Sequence, residues 1–172
     1  MDFGILALRL IVGLTVAAHG GQKLFGIFGG HGISGTSQFV ESLGFRPGRP
    51  YAYLLGIAEL VGGLFLAIGY LTPIAAIAII GVMTAAAVAV HRSKGFFVTN
   101  GGFEYPFVLA STAAAIAIAG PGAYSLDAAL DLTMGGLEIG IVATVIGVVL
   151  GLAVVALRNL PEKIGVDSAH TS

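Results

Sequence analysis

Apolar residues in this chain gather into five long runs, Phe3–Phe25, Tyr51–Tyr70, Pro73–His91, Phe103–Ala119 and Gly136–Leu157, with polar or glycine-rich punctuation between them. Each run is near the roughly 20 residues an α-helix needs to cross hydrocarbon. Within a bilayer every backbone polar group must be satisfied inside its own segment, so the pattern predicts an all-α, polytopic membrane protein. Only Leu71 and Thr72 separate Tyr70 from Pro73, which predicts a tight helical hairpin. Pro73 then sits in a first helical turn, where its missing N–H costs little.

Two connections carry patterns of their own. Residues 34–44 offer a Ser or Thr cap, apolar Phe39, Val40 and Leu43 on one face, and a terminal Gly44. A short helix lying on the membrane surface is expected there. At the opposite end Ser125 is expected to cap one or two turns, with Leu126, Ala129 and Leu130 toward the bilayer and Asp127 and Asp131 toward water.

Composition supports the membrane reading: 56% of the 172 residues are hydrophobic and 10% charged, with a mean hydropathy of +0.97. An ordinary soluble domain carries about 25% charged residues. The formal net charge of -1 leaves no basic field for nucleic acid. There are no cysteines, which excludes disulfides, thiolate metal sites and a dithiol relay carried by this chain. The opening Met-Asp-Phe-Gly lacks the basic start of a secretory signal, so the first run is read as a retained helix.

With five spans, one side of the membrane receives Arg46, Arg49, Arg92, Lys94, Arg158 and Lys163, with Lys23 at the same boundary. The other receives Asp2, Asp127 and Asp131 and no Lys or Arg, while Arg9 lies within the first run. The positive-inside bias therefore predicts an outer N-terminus and a cytoplasmic C-terminus.

The polar groups inside the apolar runs are the candidate chemistry. His19, Gln22 and Lys23 share a helical face at three- and four-residue spacing. Glu59 lies at a similar depth in the second run, His91 closes the third and Glu104 opens the fourth. Ionisable groups within a membrane are functional suspects. His19 and Glu59 are the candidate acid–base residues, and Gln22, Lys23, His91 and Glu104 the candidate ligand-binding groups, all expected around one cavity in the cytoplasmic half of the bilayer. Arg9 is expected to pair with Glu138. No metal site is expected.

Gly136, Gly140, Gly147 and Gly151 recur at four- and seven-residue spacing on the fifth run, as do Gly56 and Gly63 at seven on the second. Such small residues let transmembrane helices approach closely. Packing within the chain is the first reading and a homodimer face the second.

In chain order, Leu8-Arg9-Leu10, His19-Gly20-Gly21-Gln22-Lys23-Leu24-Phe25-Gly26, Ala58-Glu59-Leu60-Val61-Gly62-Gly63, His91, Asn100-Gly101-Gly102-Phe103-Glu104, Gly120-Pro121-Gly122 and Ser125-Leu126-Asp127 resemble the DoxX family of small bacterial membrane proteins. The resemblance covers about residues 4–130. It implies a four-helix membrane domain over residues 1–135 in the bacterial cytoplasmic membrane, with residues 136–158 as an additional transmembrane helix and 159–172 as a polar tail. It also implies a link to redox or oxidative-stress physiology. Relatives include small subunits of thiosulfate:quinone oxidoreductase and a mycobacterial member associated with superoxide dismutase and a sulfur transferase.

The leading expectation is thus a redox-associated membrane subunit whose cavity binds a quinone headgroup or a small anion, with Lys23 holding the oxygen. Haem held by His19 and His91 has only the two imidazoles in its favour. Competing expectations are a non-catalytic scaffold that recruits soluble redox enzymes through residues 26–50 and Arg92–Lys94, and a small transporter component.

Overall fold

A computed structural model describes residues 2–132 and 134–158; the polar tail 159–172, with Lys163, lies outside the described residues. The chain is all-helical over this length, with helices α1 (Asp2–Phe25), α2 (Gly32–Ser42), α3 (Gly48–Ile68), α4 (Thr72–Ala86), α5 (Glu104–Ala119), α6 (Leu126–Ala129) and α7 (Leu137–Ala156). Helix α4 continues through a π turn at Ala87–His91 and a 3₁₀ turn at Arg92–Lys94, giving an apolar rod of 23 residues. That rod, α1, α3 and α7 are each long and apolar enough to span a membrane, and α5, with 16 residues, is the short fifth member. The architecture is a polytopic bundle of four membrane helices with a further C-terminal one.

Helix α4 is the centre of the bundle, packed against α3, α5 and α7. Ala76 and Ile79 are fully buried, and apolar residues occupy every side of the helix, both where neighbours cover it and where Ile74 is left exposed. Val16, Leu66, Ala113 and Ala143 bring the same core in from the other four long helices.

Glycines set how closely the helices approach. A Cβ on Gly13 of α1 would stand 2.6 Å from Ala67 N and from the Gly63 carbonyl on α3, and one on Gly20 would strike the Leu60 backbone. Gly13 and Gly20 therefore face Gly63 and Gly56 in an antiparallel seam where backbone touches backbone. On α7, Gly140 packs on Ile118, Gly147 on Ile80 and Gly151 on Gly81 and Thr84, so the close approach these glycines permit is made within the chain. The rising register of the α4–α7 contacts makes those two helices parallel. Alternating helix direction gathers Lys23, Arg46, Arg49, Arg92, Lys94 and Arg158 at one end, hereafter the basic end, and Asp2, Asp127, Asp131 and Glu138 at the other.

At the acidic end two expectations fail. Arg9 does not pair with Glu138, which is exposed. Its guanidinium is buried and donates to the carbonyls of Pro121 and Tyr124, closing the turn before α6. Asp127 does not face water: it is fully buried and accepts from Leu71 N (2.7 Å), Thr72 N (3.0 Å) and the Thr72 hydroxyl (2.7 Å). A carboxylate from α6 thus caps the N-terminus of α4, where unpaired N–H groups and the helix dipole favour negative charge. Gly69, in the left-handed region at φ 67°, lets this happen: its carbonyl accepts from Asp127 N, and a Cβ there would overlap Arg9 and Ser125. Ser125 itself caps α6 as expected, accepting from Ala128 N at 3.1 Å.

At the basic end α2 starts at Gly32, with His31 rather than a Ser or Thr before it and no side-chain cap. Thr36 instead donates to the Gly32 and Lys23 carbonyls, tying α2 to the end of α1. Glu41 accepts from Gly48 N at 2.8 Å and so caps α3.

Asp127→Ala should lower stability by about 2 kcal/mol or more, because it removes a helix cap and strands three donors. Glu138→Ala should stay within about 0.5 kcal/mol. Thermal or denaturant unfolding of the detergent-purified variants measures both.

Candidate functional site

The last two turns of α1 carry His19, Gln22 and Lys23 to the basic end, and the glycine seam holds α3 close enough for Lys23 to reach across it. Lys23 Nζ and Glu59 Oε2 form an ion pair at 2.5 Å. Glu59 is buried, 4% exposed, while the Lys23 side chain keeps 29% of its surface. A buried carboxylate without a partner would cost several kcal/mol, so the pair fixes the relative rotation of α1 and α3. Among the described residues Lys23 Nζ has no other side-chain or carbonyl acceptor, which leaves N–H donors for a ligand.

His19 lies on the flank of this pair. Its Nδ1 is 3.1 Å from Gln22 Oε1 and its Nε2 3.0 Å from the Tyr105 hydroxyl, with the two rings edge to face. With the amide oxygen toward Nδ1, the neutral ring donates there and accepts from Tyr105 at Nε2. Gln22 Nε2 in turn donates to the Phe28 carbonyl at 3.0 Å. A continuous hydrogen-bonded chain therefore runs from α5 through His19 to the loop after α1. Tyr105 is the member that sequence reasoning missed. It neighbours Glu104 at the start of α5, and a tyrosine beside a membrane carboxylate was the available signal.

A cavity of about 320 Å³ opens beside the ion pair. Lys23, Glu59 and His91 bring polar groups to its wall; Phe39 and Val40 of α2 and Leu43 just after it cover the cavity, so the apolar face predicted for the surface helix lies over it. The π turn places Ala89, Val90 and His91 on the wall, and π turns within α-helices occur often at functional sites. His91 Nδ1 donates to the Gly101 carbonyl at 2.7 Å, leaving Nε2 as the acceptor in the neutral ring. On the far side of Lys23, a smaller polar recess of about 280 Å³ is lined by Gln22, Gly30, His31 and Thr36 and shares Lys23 and Phe39 with the main cavity.

The six candidate residues thus divide. Lys23, Glu59 and His91 meet at one cavity, Gln22 lines the adjoining recess, and His19 is bonded to Gln22 and Tyr105 beside them. Glu104 does not line the cavity: its Oε2 accepts from Val98 N at 2.8 Å and folds the 95–103 loop against the start of α5. Its short spacing from that loop satisfies it locally.

The arrangement is an apolar chamber with an oriented ammonium, a carboxylate and an imidazole at its polar margin. Comparison with known proteins agrees with a membrane setting. The DoxX family model matches residues 4–92, which end with the π turn of α4. "Putative oxidoreductase CatD" of Bacillus subtilis (strain 168) is 31% identical over 110 residues, 64% of this chain and 75% of that protein. "Inner membrane protein YqjF" of Escherichia coli (strain K12) is 30% identical over 132 residues, 76% of this chain and 94% of that protein. No solved structure matches the chain. The family match covers α1 to α4, the helices that carry Lys23, Glu59 and His91, and the chain is a membrane protein of the DoxX family.

Proposed function

We propose that this protein is a redox-associated membrane subunit whose cavity binds a quinone headgroup or a small anion, with the basic end on the cytoplasmic side and the N-terminus outside. The observation that carries the reading is the Lys23–Glu59 pair at the margin of an otherwise apolar cavity of about 320 Å³. That volume is at the small end of ligand pockets. It suits a single flat ring with polar oxygens. Glu59 orients the Lys23 ammonium, whose remaining N–H groups donate to a ligand oxygen and stabilise negative charge that develops on it. His91 offers a second polar contact across the chamber.

Proton supply would come from the same end. The Tyr105–His19–Gln22 chain and the polar recess around His31 adjoin Lys23, giving groups that can pass protons toward a reduced ligand. Electrons would come from a partner subunit docked at the cytoplasmic face. The name of the Bacillus relative is consistent with such a role.

Mass spectrometry of small molecules retained by the detergent-purified protein should find a lipid-soluble quinone, and its occupancy should fall at least about tenfold in Lys23→Met, the loss of one charge-assisted hydrogen bond. Retention of no such carrier under any preparation, or retention indifferent to Lys23→Met, would overturn the reading.

The pair also has a stability signature. Lys23→Met alone leaves Glu59 buried without its cation and should cost about 3 kcal/mol or more, whereas Lys23→Met with Glu59→Leu should recover most of the loss. Denaturant unfolding of the two variants checks this.

Orientation is tested directly because the chain has no native cysteine. Single substitutions Ser42→Cys and Ala128→Cys, both at exposed positions, should react with a membrane-impermeant maleimide from opposite sides. In intact spheroplasts Ala128→Cys should label and Ser42→Cys should not.

A further inference from the structure

A second cavity, of about 280 Å³, runs along the membrane face of the bundle between α3, α4 and α7, and every residue that lines it is apolar. Its floor is one face of α4 from Ile74 to Ala85, a length of about 16 Å at the helical rise. Leu54 and Ala58 of α3 form one wall and Leu150 of α7 the other. Leu55, Val82, Ala85 and Val154 line both this groove and the cavity at the ion pair, so the two spaces share walls. At the rim Leu54, Ile74 and Leu150 are each about half exposed, which opens the groove sideways to the bilayer.

We propose that this groove is the tail subsite of the Lys23–Glu59 cavity, so that the ligand is a single-tailed amphiphile that enters from the membrane. An oxygen-bearing head would reach the ammonium while its isoprenoid or alkyl tail lies over α4 between α3 and α7. The shared walls carry the assignment: the apolar side chains of Leu55, Val82, Ala85 and Val154 are what stands between a head seated at Lys23 and the groove. Burial of each methylene of the tail adds affinity that a free headgroup lacks. Helix α7 thereby acquires a role. It lies beyond the residues matched by the family model, and Leu150, Gly151 and Val154 complete a groove that α3 and α4 would leave open.

The proposal rests on the headgroup reading above, and the test separates the two. Binding of benzoquinone without a tail, with a butyl tail and with a decyl tail would be measured on the purified protein, alongside acetate and decanoate as the anionic counterparts. The decyl form of one headgroup should bind roughly tenfold or more tightly than the untailed form. Ala58→Phe, which fills the groove, should erase that gain and leave the untailed form unchanged. Leu150→Trp, at an exposed wall position, should do the same and stands in if Ala58→Phe fails to fold. Lys23→Met should weaken both tail lengths alike. Which series shows the gain identifies the head as quinone or carboxylate. Equal affinity across tail lengths, or a tail gain untouched by both groove variants as for ordinary partition into detergent, would overturn the tail subsite while leaving the headgroup reading standing. Failure of the headgroup reading looks different, as untailed binding that Lys23→Met does not alter.

Discussion

A carboxylate buried among apolar side chains must take up a proton or meet a cation, and in this protein a cation arrives from another helix. Glu59 lies between Ala58 and Leu60, next to the midpoint of α3. In a low-dielectric setting the attraction between Lys23 and Glu59 is strong, and so is the penalty of separating them. The pair therefore demands that α1 and α3 lie close. Gly13, Gly20, Gly56 and Gly63 make this possible by leaving no Cβ of their own where the two helices come closest. The seam and the ion pair are two halves of one device: the first brings backbones together, and the second selects the rotation at which they stop. The cavity, the covering helix α2 and the His19 chain are all placed relative to it.

Membrane spans were readable from the sequence because hydrocarbon thickness imposes their length; the predicted Phe103–Ala119 and Gly136–Leu157 differ by a residue from α5 and α7. The hairpin at Pro73 and the cap at Ser125 were readable because local chemistry decides them. What could not be read was the partner chosen across space. Glu138 looked suitable for Arg9 by depth, yet the α6 turn offered carbonyls closer at hand, and Asp127 found unpaired N–H groups at the end of α4. Both are long-range contacts made by a short connection whose path has no periodicity to reveal it. The same holds for Tyr105. Glu104 misled in the opposite direction, since its depth placed it beside the others while the 95–103 loop satisfied it locally.

The glycine repeat on α7 shows how one pattern serves two readings. Spacing at four and seven residues states that something approaches closely but does not name it. In the folded chain Gly147 and Gly151 accept α4, and this crossing brings Leu150 and Val154 to the edge of the apolar spaces. A helix outside the family-matched residues is thereby built into the bundle rather than appended to it.

The two ends of the bundle contain similar residue types, and they differ in what remains unspent. At the acidic end Asp127 accepts three hydrogen bonds and Arg9 closes a turn, with both side chains buried. Its one spare donor, Arg9 Nε, is buried and borders none of the cavities described above, and the hydrogen bonds of the cluster rigidify the fold. At the basic end Lys23 keeps donors beyond its bond to Glu59, His91 keeps a ring nitrogen, and both border a cavity. Burial is thus a poor guide to which charged groups can meet a ligand, because Arg9, Asp127 and Glu59 are all buried. Spare hydrogen-bonding capacity facing a void is the better criterion, and by that measure the end where α1 hands its last turn to α2 is the one with groups to offer a ligand.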